Sequence, residues 1–311
     1  MKLKTIKKQI ARKFNAWANS ITDDELRKAV IENTIVTGGC IVSMLLKERV
    51  NDYDLYFRSK DVASRVAKYY VAEFLKKSGV TFAGDVSKKV EICVEELEDR
   101  IHVKIKSAGI AAEGNQRNYA YFEQHGDEVG EQYVDDVTSQ VTKLDDAPAE
   151  NLDKADEDFH PVFMSSNAIT LSGGVQLVVR FFGEPEEIHK NYDFIHCTCY
   201  WKSWDEELIT PTEALQAMMT RELRYVGSKY PLCSIIRIRK FIARGWSINA
   251  GQILKMAMQL NELELTDINV LQDQMIGVDA AYFAQVLDRL REKDSQHVDT
   301  AYLMTIIDRI F

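Results

Sequence analysis

The stretch GGCIVSMLLKERVNDYDLYF, from Gly38 to Phe57, sets two glycines at the mouth of a helical run. It then sets two acids one residue apart in a strand-like run. Neither choice favours folding, because glycine costs backbone entropy and aspartate is depleted in strands. A site for a phosphate group and a divalent cation accounts for both. A strand-to-helix junction without Cβ atoms lets phosphate oxygens approach the backbone N–H groups and the positive end of the helix dipole. Alternate strand residues face the same way, so Asp52 and Asp54 are expected to present two carboxylates together, with Tyr53 on the opposite side. Such a pair repels unless a cation lies in the gap. Mg²⁺ takes one or two carboxylates and completes its octahedron with water and phosphate oxygens. A two-metal site would activate an attacking hydroxyl and stabilise departing pyrophosphate.

Upstream of this stretch, Lys2, Lys4, Lys7, Lys8, Arg12 and Lys13 interleave with Leu3, Ile6, Ile10, Phe14 and Trp17. That spacing predicts an amphipathic helix packed on its own domain, whereas a signal peptide needs an unbroken apolar block. Thr22-Asp23-Asp24-Glu25 reads as a capping box, with Thr22 as N-cap and Glu25 reaching back, opening a helix to about Asn33. Thr34 to Thr37 should be a strand, Cys40 to Lys47 a helix, Asp52 to Phe57 a strand and Asp61 to Gly79 a helix.

Downstream, KKVEICVEE and RIHVKIKSAGI are strand-prone, and the polar, acidic run from about 114 to 160 reads as an insertion. AITLSGGVQLVVRFFG predicts a hairpin about Ser172-Gly173-Gly174, and YDFIHCTCYW predicts another strand, with Cys197 and Cys199 on one face. Beyond Thr210-Pro211 the spacing is helical almost throughout, including AAYFAQVLDRLREK and TAYLMTIIDRIF. The expectation is an α+β architecture: a mixed sheet with helices, followed by an all-helical C-terminal domain. The boundary falls between residues 1–209 and 210–311.

The 311 residues are 46% hydrophobic and 28% charged, a composition of globular proteins, and no apolar run is long enough to span a bilayer. A net charge of −9 argues against indiscriminate polyanion binding, so any nucleic-acid surface must be a local basic patch. Five cysteines without a CxxC fit reduced thiols and a cytoplasmic setting, that of a bacterial host if the chain is phage-encoded.

Gly38-Gly39, Leu45-Leu46 and Asp52-x-Asp54 together resemble the polymerase-β-type nucleotidyltransferase superfamily, and most of all bacterial poly(A) polymerases and CCA-adding tRNA nucleotidyltransferases. Those carry Gly-Gly-x-Val-Arg-Asp-x-Leu-Leu and then Asp-x-Asp. Here Val42 and Ser43 replace the Arg-Asp pair, and no Glu-Asp-x-x-Arg is present. Tyr192-Asp193-Phe194-Ile195 is similar to the family's Arg-Asp-Phe-Thr, and RIRKFIARGW to its Arg-x-x-Arg-Phe helix. RFFGEPEEIHKNYDF also resembles nucleotidyltransferase-like proteins of tailed phages.

The resemblance implies a nucleotidyltransferase-type catalytic domain and NMP transfer from an NTP to a hydroxyl. The acceptor would be an RNA (tRNA) 3′ end, or alternatively a protein or small molecule. A non-catalytic nucleotide- or RNA-binding protein is the other alternative. It further implies Mg²⁺ on Asp52 and Asp54, NTP across Gly38 and Gly39, and a third acid, with Asp193 first and Glu91 second, while Gln176 stands where an acid would be expected. Arg180, His189 and Lys190 are candidate triphosphate or acceptor contacts. Arg237, Lys240 and Arg244, at i, i+3 and i+7 beside Phe241, would face an RNA backbone. His196 is open between a core histidine and a proton carrier.

Overall fold

Ile6, Ile10, Phe14 and Trp17 lie on one side of the first helix, α1 (Leu3–Ser20), and all are buried, while Lys4, Lys8 and Arg12 face outward. The computed structural model describes residues 2–77, 93–98, 100–104, 110–111, 159–165, 167–275 and 304. The next helix, α2 (Asp24–Asn33), is capped differently from the expectation. Asp23 accepts the N–H groups of Glu25 and Leu26, and the Thr22 hydroxyl instead meets Tyr69 OH. Both residues are good N-caps, and the carboxylate takes the role because it can accept two orphan donors at once.

The central elements follow the order of the opening motif: β1 (Thr34–Thr37), α3 (Gly39–Leu46), β2 (Tyr53–Phe57) and α4 (Lys60–Lys77). Then come β3 (Cys93–Glu96), β4 (Ile101–Lys104), β5 (Ile110–Ala111), β6 (Pro161–Met164), β7 (Ala168–Leu171) and β8 (Val175–Phe182). β3 and β4 form a separate hairpin. The others join β9 (Tyr200–Lys202) and β10 (Leu208–Ile209) in one sheet of order β10-β9-β1-β2-β8-β7-β6-β5. Within it β2 and β8 run parallel, and the remaining neighbours are antiparallel. The predicted hairpin is β7-β8, turning on Gly173 and Gly174, both at positive φ. The fold is therefore α+β, a mixed sheet with helices.

The two faces of the sheet differ. Val36, Leu55, Phe57, Leu177 and Trp201 point into the main core against α1 and α4, where Phe14 packs on Trp201 and Trp17 Nε1–H donates to Tyr70 OH at 2.9 Å. Each fully buried side chain of this size contributes about 2–3 kcal/mol. The opposite face carries a small apolar cluster of Ile35, Tyr56 and Ile188, with Tyr192 and Tyr200 at its edge.

The segment after β8 departs from expectation. A short helix, α5 (Pro185–His189), leads into a turn at Asp193 and one 3₁₀ turn over Ile195–Thr198 before β9 begins. YDFIHCTCYW is thus mostly not strand, and Cys197 and Cys199 do not share a strand face. The backbone coils because Cys197 N–H returns to Phe194 O, while Ile195 N–H pairs with Arg224 O instead of a sheet neighbour.

Helices α6 (Thr212–Thr220), α7 (Pro231–Ala243), α8 (Ala250–Asn261) and α9 (Ile268–Met275) follow, and Gly245 closes α7 at φ 78°. Leu223, Tyr225, Trp246 and Met256 belong to the same buried cluster as the sheet. The predicted insertion over 114–160 lies almost wholly outside the described residues. So do Glu91 and the helical runs AAYFAQVLDRLREK and TAYLMTIIDRIF, apart from Met304. Among the described residues no helix is long and apolar enough to cross a membrane.

Candidate functional site

The bend between β1 and α3 is built on Gly38, at φ 89° and ψ −144°. Side chains rarely adopt that conformation. A Cβ on Gly38 would lie 3.2 Å from Asp54 Oδ2 and 3.4 Å from Tyr192 OH, whereas one on Gly39 would meet nothing within 4 Å. The second acid and the diglycine bend therefore touch, and open space lies over Gly39. No side chain caps α3, so its first N–H groups have no side-chain acceptor. Behind them Cys40 to Met44 are buried, which fixes the helix against the core.

Asp54 stands in the middle of a polar row. In register it is flanked by Thr37 on β1 and Gln176 on β8, and the row continues to Tyr200 on β9 and Thr170 on β7. Asp52 departs from the expected placement: it precedes β2 in the connecting loop and is exposed, while Asp54 is in the strand and half-buried. The two nevertheless interact. Burial first, and the Asp52 charge second, push the Asp54 carboxyl up to about 8, with the Lys240 ammonium opposing. A dication on this pair would reverse that penalty, because it favours the ionised form. The residues fit a cation held by two carboxylates with its remaining positions open to water or phosphate.

The floor of the site is fixed by Thr37. Its hydroxyl donates to Cys199 O at 2.9 Å, which leaves the oxygen to accept from His189 Nε2 at 2.9 Å. Burial lowers His189 to about 4, so it is a neutral donor at pH 7. It also contacts the rings of Tyr192 and Tyr200. Tyr192 is itself raised, by burial first and then by Tyr56 and Asp54. The position of Tyr192 at the bend, and the anchoring role of Thr37, went unread in the sequence. Alternation along Thr34 to Thr37 was the signal for Thr37.

The structure gives Asp193, the expected third acid, other partners. It is buried, and its oxygens accept from the Ser228 hydroxyl at 2.8 Å and from Arg237 Nη1. The strand position next to Asp54 belongs instead to Gln176, an amide that can donate and accept but carries no charge. Among the described residues no group of three His, Cys, Asp or Glu side chains converges as a metal site.

The basic residues separate. Arg180 is buried between the sheet and the helices, bonded to Asn167 Oδ1 and Tyr230 OH with Asp273 at 3.8 Å, so a structural load replaces the expected triphosphate contact. Lys190 is exposed and pairs with Glu187 one turn back on α5. Arg237 is held by Asp193, which removes it from an RNA-facing surface. Lys240 is exposed and acts on Asp54, and Arg244 is exposed at the end of α7. His196 is buried in a cage of Phe194, Phe241 and Trp246 and lowered to about 4, chiefly by burial. It is a core histidine.

Superposition on solved structures finds loose likenesses. The Thermotoga maritima CCA-adding enzyme complexed with tRNA aligns at 12% identity over 89% of this chain and 54% of that one, with a TM-score of 0.38. The Bacillus stearothermophilus CCA-adding enzyme in complex with CTP aligns at 13% identity over 86% and 50%, with a TM-score of 0.35. Gabija anti-defense 2 of Bacillus phage SPbetaL7 is 20% identical over 116 residues, which are 37% of this chain and 29% of that protein. This chain thus spans under a third of the length of that curated relative. The model of the Gabija anti-defense 2 family matches residues 8–221, more than half of the sequence, from within α1 through the site to the end of α6, and the chain belongs to that family.

Proposed function

We propose that this protein acts against the Gabija defence as a Mg²⁺-dependent nucleotidyltransferase. The observation that carries the reading is the contact between Asp54 and the diglycine bend, Oδ2 lying 3.2 Å from the Cβ position of Gly38. The first N–H groups of α3 bind triphosphate oxygens over Gly39, and the absence of a side chain there lets them approach. Asp52 and Asp54 hold the dication, which when bound neutralises charge on both the carboxylates and the triphosphate. Thr37, locked by Cys199 and His189, keeps the strand end in place beneath them. An acceptor hydroxyl, losing its proton to solvent, forms its bond to the α-phosphorus as the bond to pyrophosphate breaks, and the protein contributes chiefly positioning.

An RNA 3′ end remains the favoured acceptor class, now with Lys240 and Arg244 as its basic contacts and without Arg237. Labelled NTPs, offered with Mg²⁺ to mixed RNA and protein acceptors, test the reading. Label should enter one acceptor class with the wild type and none with Asp52→Asn/Asp54→Asn that remains folded. No transfer to any acceptor would count against it.

Gln176 beside Asp54 favours a second reading, a nucleotide binder without turnover. In that case Asp52→Asn/Asp54→Asn would leave the anti-defence effect in infected cells intact.

A further inference from the structure

Thr37 has two neighbours in register, Asp54 on β2 and Tyr200 on β9, so the three side chains leave one face of the sheet. Adjacent strands lie about 4.8 Å apart, which puts Tyr200 roughly 10 Å from Asp54 with the end of β1 between them. Two more rings adjoin Tyr200. His189 stands edge-on to it, with centroids 5.5 Å apart and planes at 62°, and is tilted against Tyr192 at 5.0 Å and 49°. Tyr192 in turn brings its hydroxyl to the bend, 3.4 Å from the Cβ position of Gly38. An aromatic wall therefore runs from β9 to the glycines, and it is not used up by its own contacts. Rings inclined this far do not stack face to face, and all three side chains are half-buried. The hydroxyls of Tyr69, Tyr70, Tyr225 and Tyr230 all bond to other side chains, whereas that of Tyr200 has no hydrogen-bond partner among the described residues.

We propose that the ring of Tyr200, cornered by His189, is the platform on which the nucleobase of a nucleoside triphosphate stacks while its phosphates lie over Gly39. The inference rests on the nucleotidyltransferase reading of that site and adds to it the part that holds a base. The Asp54 side of Thr37 offers carboxylate for a metal, and the Tyr200 side offers a flat apolar surface with a polar tip. A nucleotide carries the matching groups at its two ends. Every base has a π face, so the platform accepts any of the four without reading its edge. Thr37 bonds both to His189 and to the carbonyl of Cys199, the residue before Tyr200, so platform and strand end form one rigid unit.

The test compares, by calorimetry with Mg²⁺, a non-hydrolysable ATP analogue with inorganic tripolyphosphate, which has the charge and no base. Wild type, Tyr200→Leu and Tyr200→Phe are measured, with thermal melts confirming folding. Loss of one base–aromatic stack predicts about tenfold weaker binding of the analogue by Tyr200→Leu. Tripolyphosphate binding should be unchanged, and Tyr200→Phe should stay close to wild type. A second readout needs no variant: 2-aminopurine riboside triphosphate should lose fluorescence when bound to the wild type. Equal affinity of wild type and Tyr200→Leu for the analogue would overturn the assignment and leave the phosphate part of the site standing. Undiminished fluorescence of the bound 2-aminopurine nucleotide would do the same. Equal losses for the analogue and tripolyphosphate would overturn it too, by making the effect a general one. Binding of neither compound by the wild type would overturn both the assignment and the reading beneath it.

Discussion

The two faces of β2 set a comparison within five residues. Leu55 and Phe57 are buried in the main core beneath α1, where packing determines what is tolerated. Asp54, one position away, looks out on the other face among Thr37, Gln176 and the glycine bend. One side has identity set by volume, the other by charge and backbone shape. Asp54 tolerates a raised carboxyl beside Asp52 and an amide where a further acid would stabilise metal. That opposition to ionisation is the electrostatic ground for the cation proposed at this row.

The contrast is broken most easily from the core side. Trp17→Ala should cost about 4 kcal/mol, as large-to-small changes in packed cores do, and it also strands the Tyr70 hydroxyl. Urea unfolding would show the loss, while nucleotide affinity of the molecules still folded should not move. On the site face, Gly38→Ala forces a side chain into a left-handed bend and against Asp54, costing about 2 kcal/mol. Gly39→Ala should change stability by less than about 0.5 kcal/mol yet weaken NTP binding. Equal stability for the two alanine variants would mean that the bend is not under the constraint described.

Acid separates the two regions next. His189 and His196 each protonate near 4 when folded and near 6.5 when unfolded. Between those values the unfolded chain binds more protons, so stability falls as pH drops through that window. For His196, which has no exposed surface, the loss by pH 5 should be about 2 kcal/mol. His196→Phe should flatten that part of the pH profile in chemical denaturation, and an unchanged profile would refute its assignment as a neutral core residue. A smaller effect than that of the buried histidine is expected for Gln176→Glu. In EDTA a like charge in register with Asp54 should destabilise by about 1 kcal/mol, and Mg²⁺ should reverse the change. A melting temperature indifferent to Mg²⁺ in this variant would argue against a dication in the row.

The span from Thr34 to Phe57 was legible because its signals are local. An apolar strand, a glycine pair, an apolar helix and a Tyr-Asp-Leu alternation all lie within one short window. Asp193 misled for the opposite reason. Its strand-like neighbours coil into a turn, and the partner that claims it, Arg237, is 44 residues away. Gln176 could be named as a residue in an acid's position, but its seat beside Asp54 depends on a parallel pairing between strands more than a hundred residues apart. Lys240 was legible as part of a basic face and not for the effect of its charge on Asp54, because the docking of α7 is settled by aromatic contacts such as Phe241 with Phe194. At Thr22 and Asp23 two competent caps stood side by side, and only the geometry of the turn chose between them.

The fastening of Thr37 has one last consequence. A hydroxyl engaged on both sides, by a carbonyl of one segment and an imidazole of another, leaves the rim of the sheet little freedom to adapt to an incoming guest. The floor of the site is thus set before loading, and the backbone signals of Thr37 and of Asp54, its partner in register, should move little when nucleotide binds.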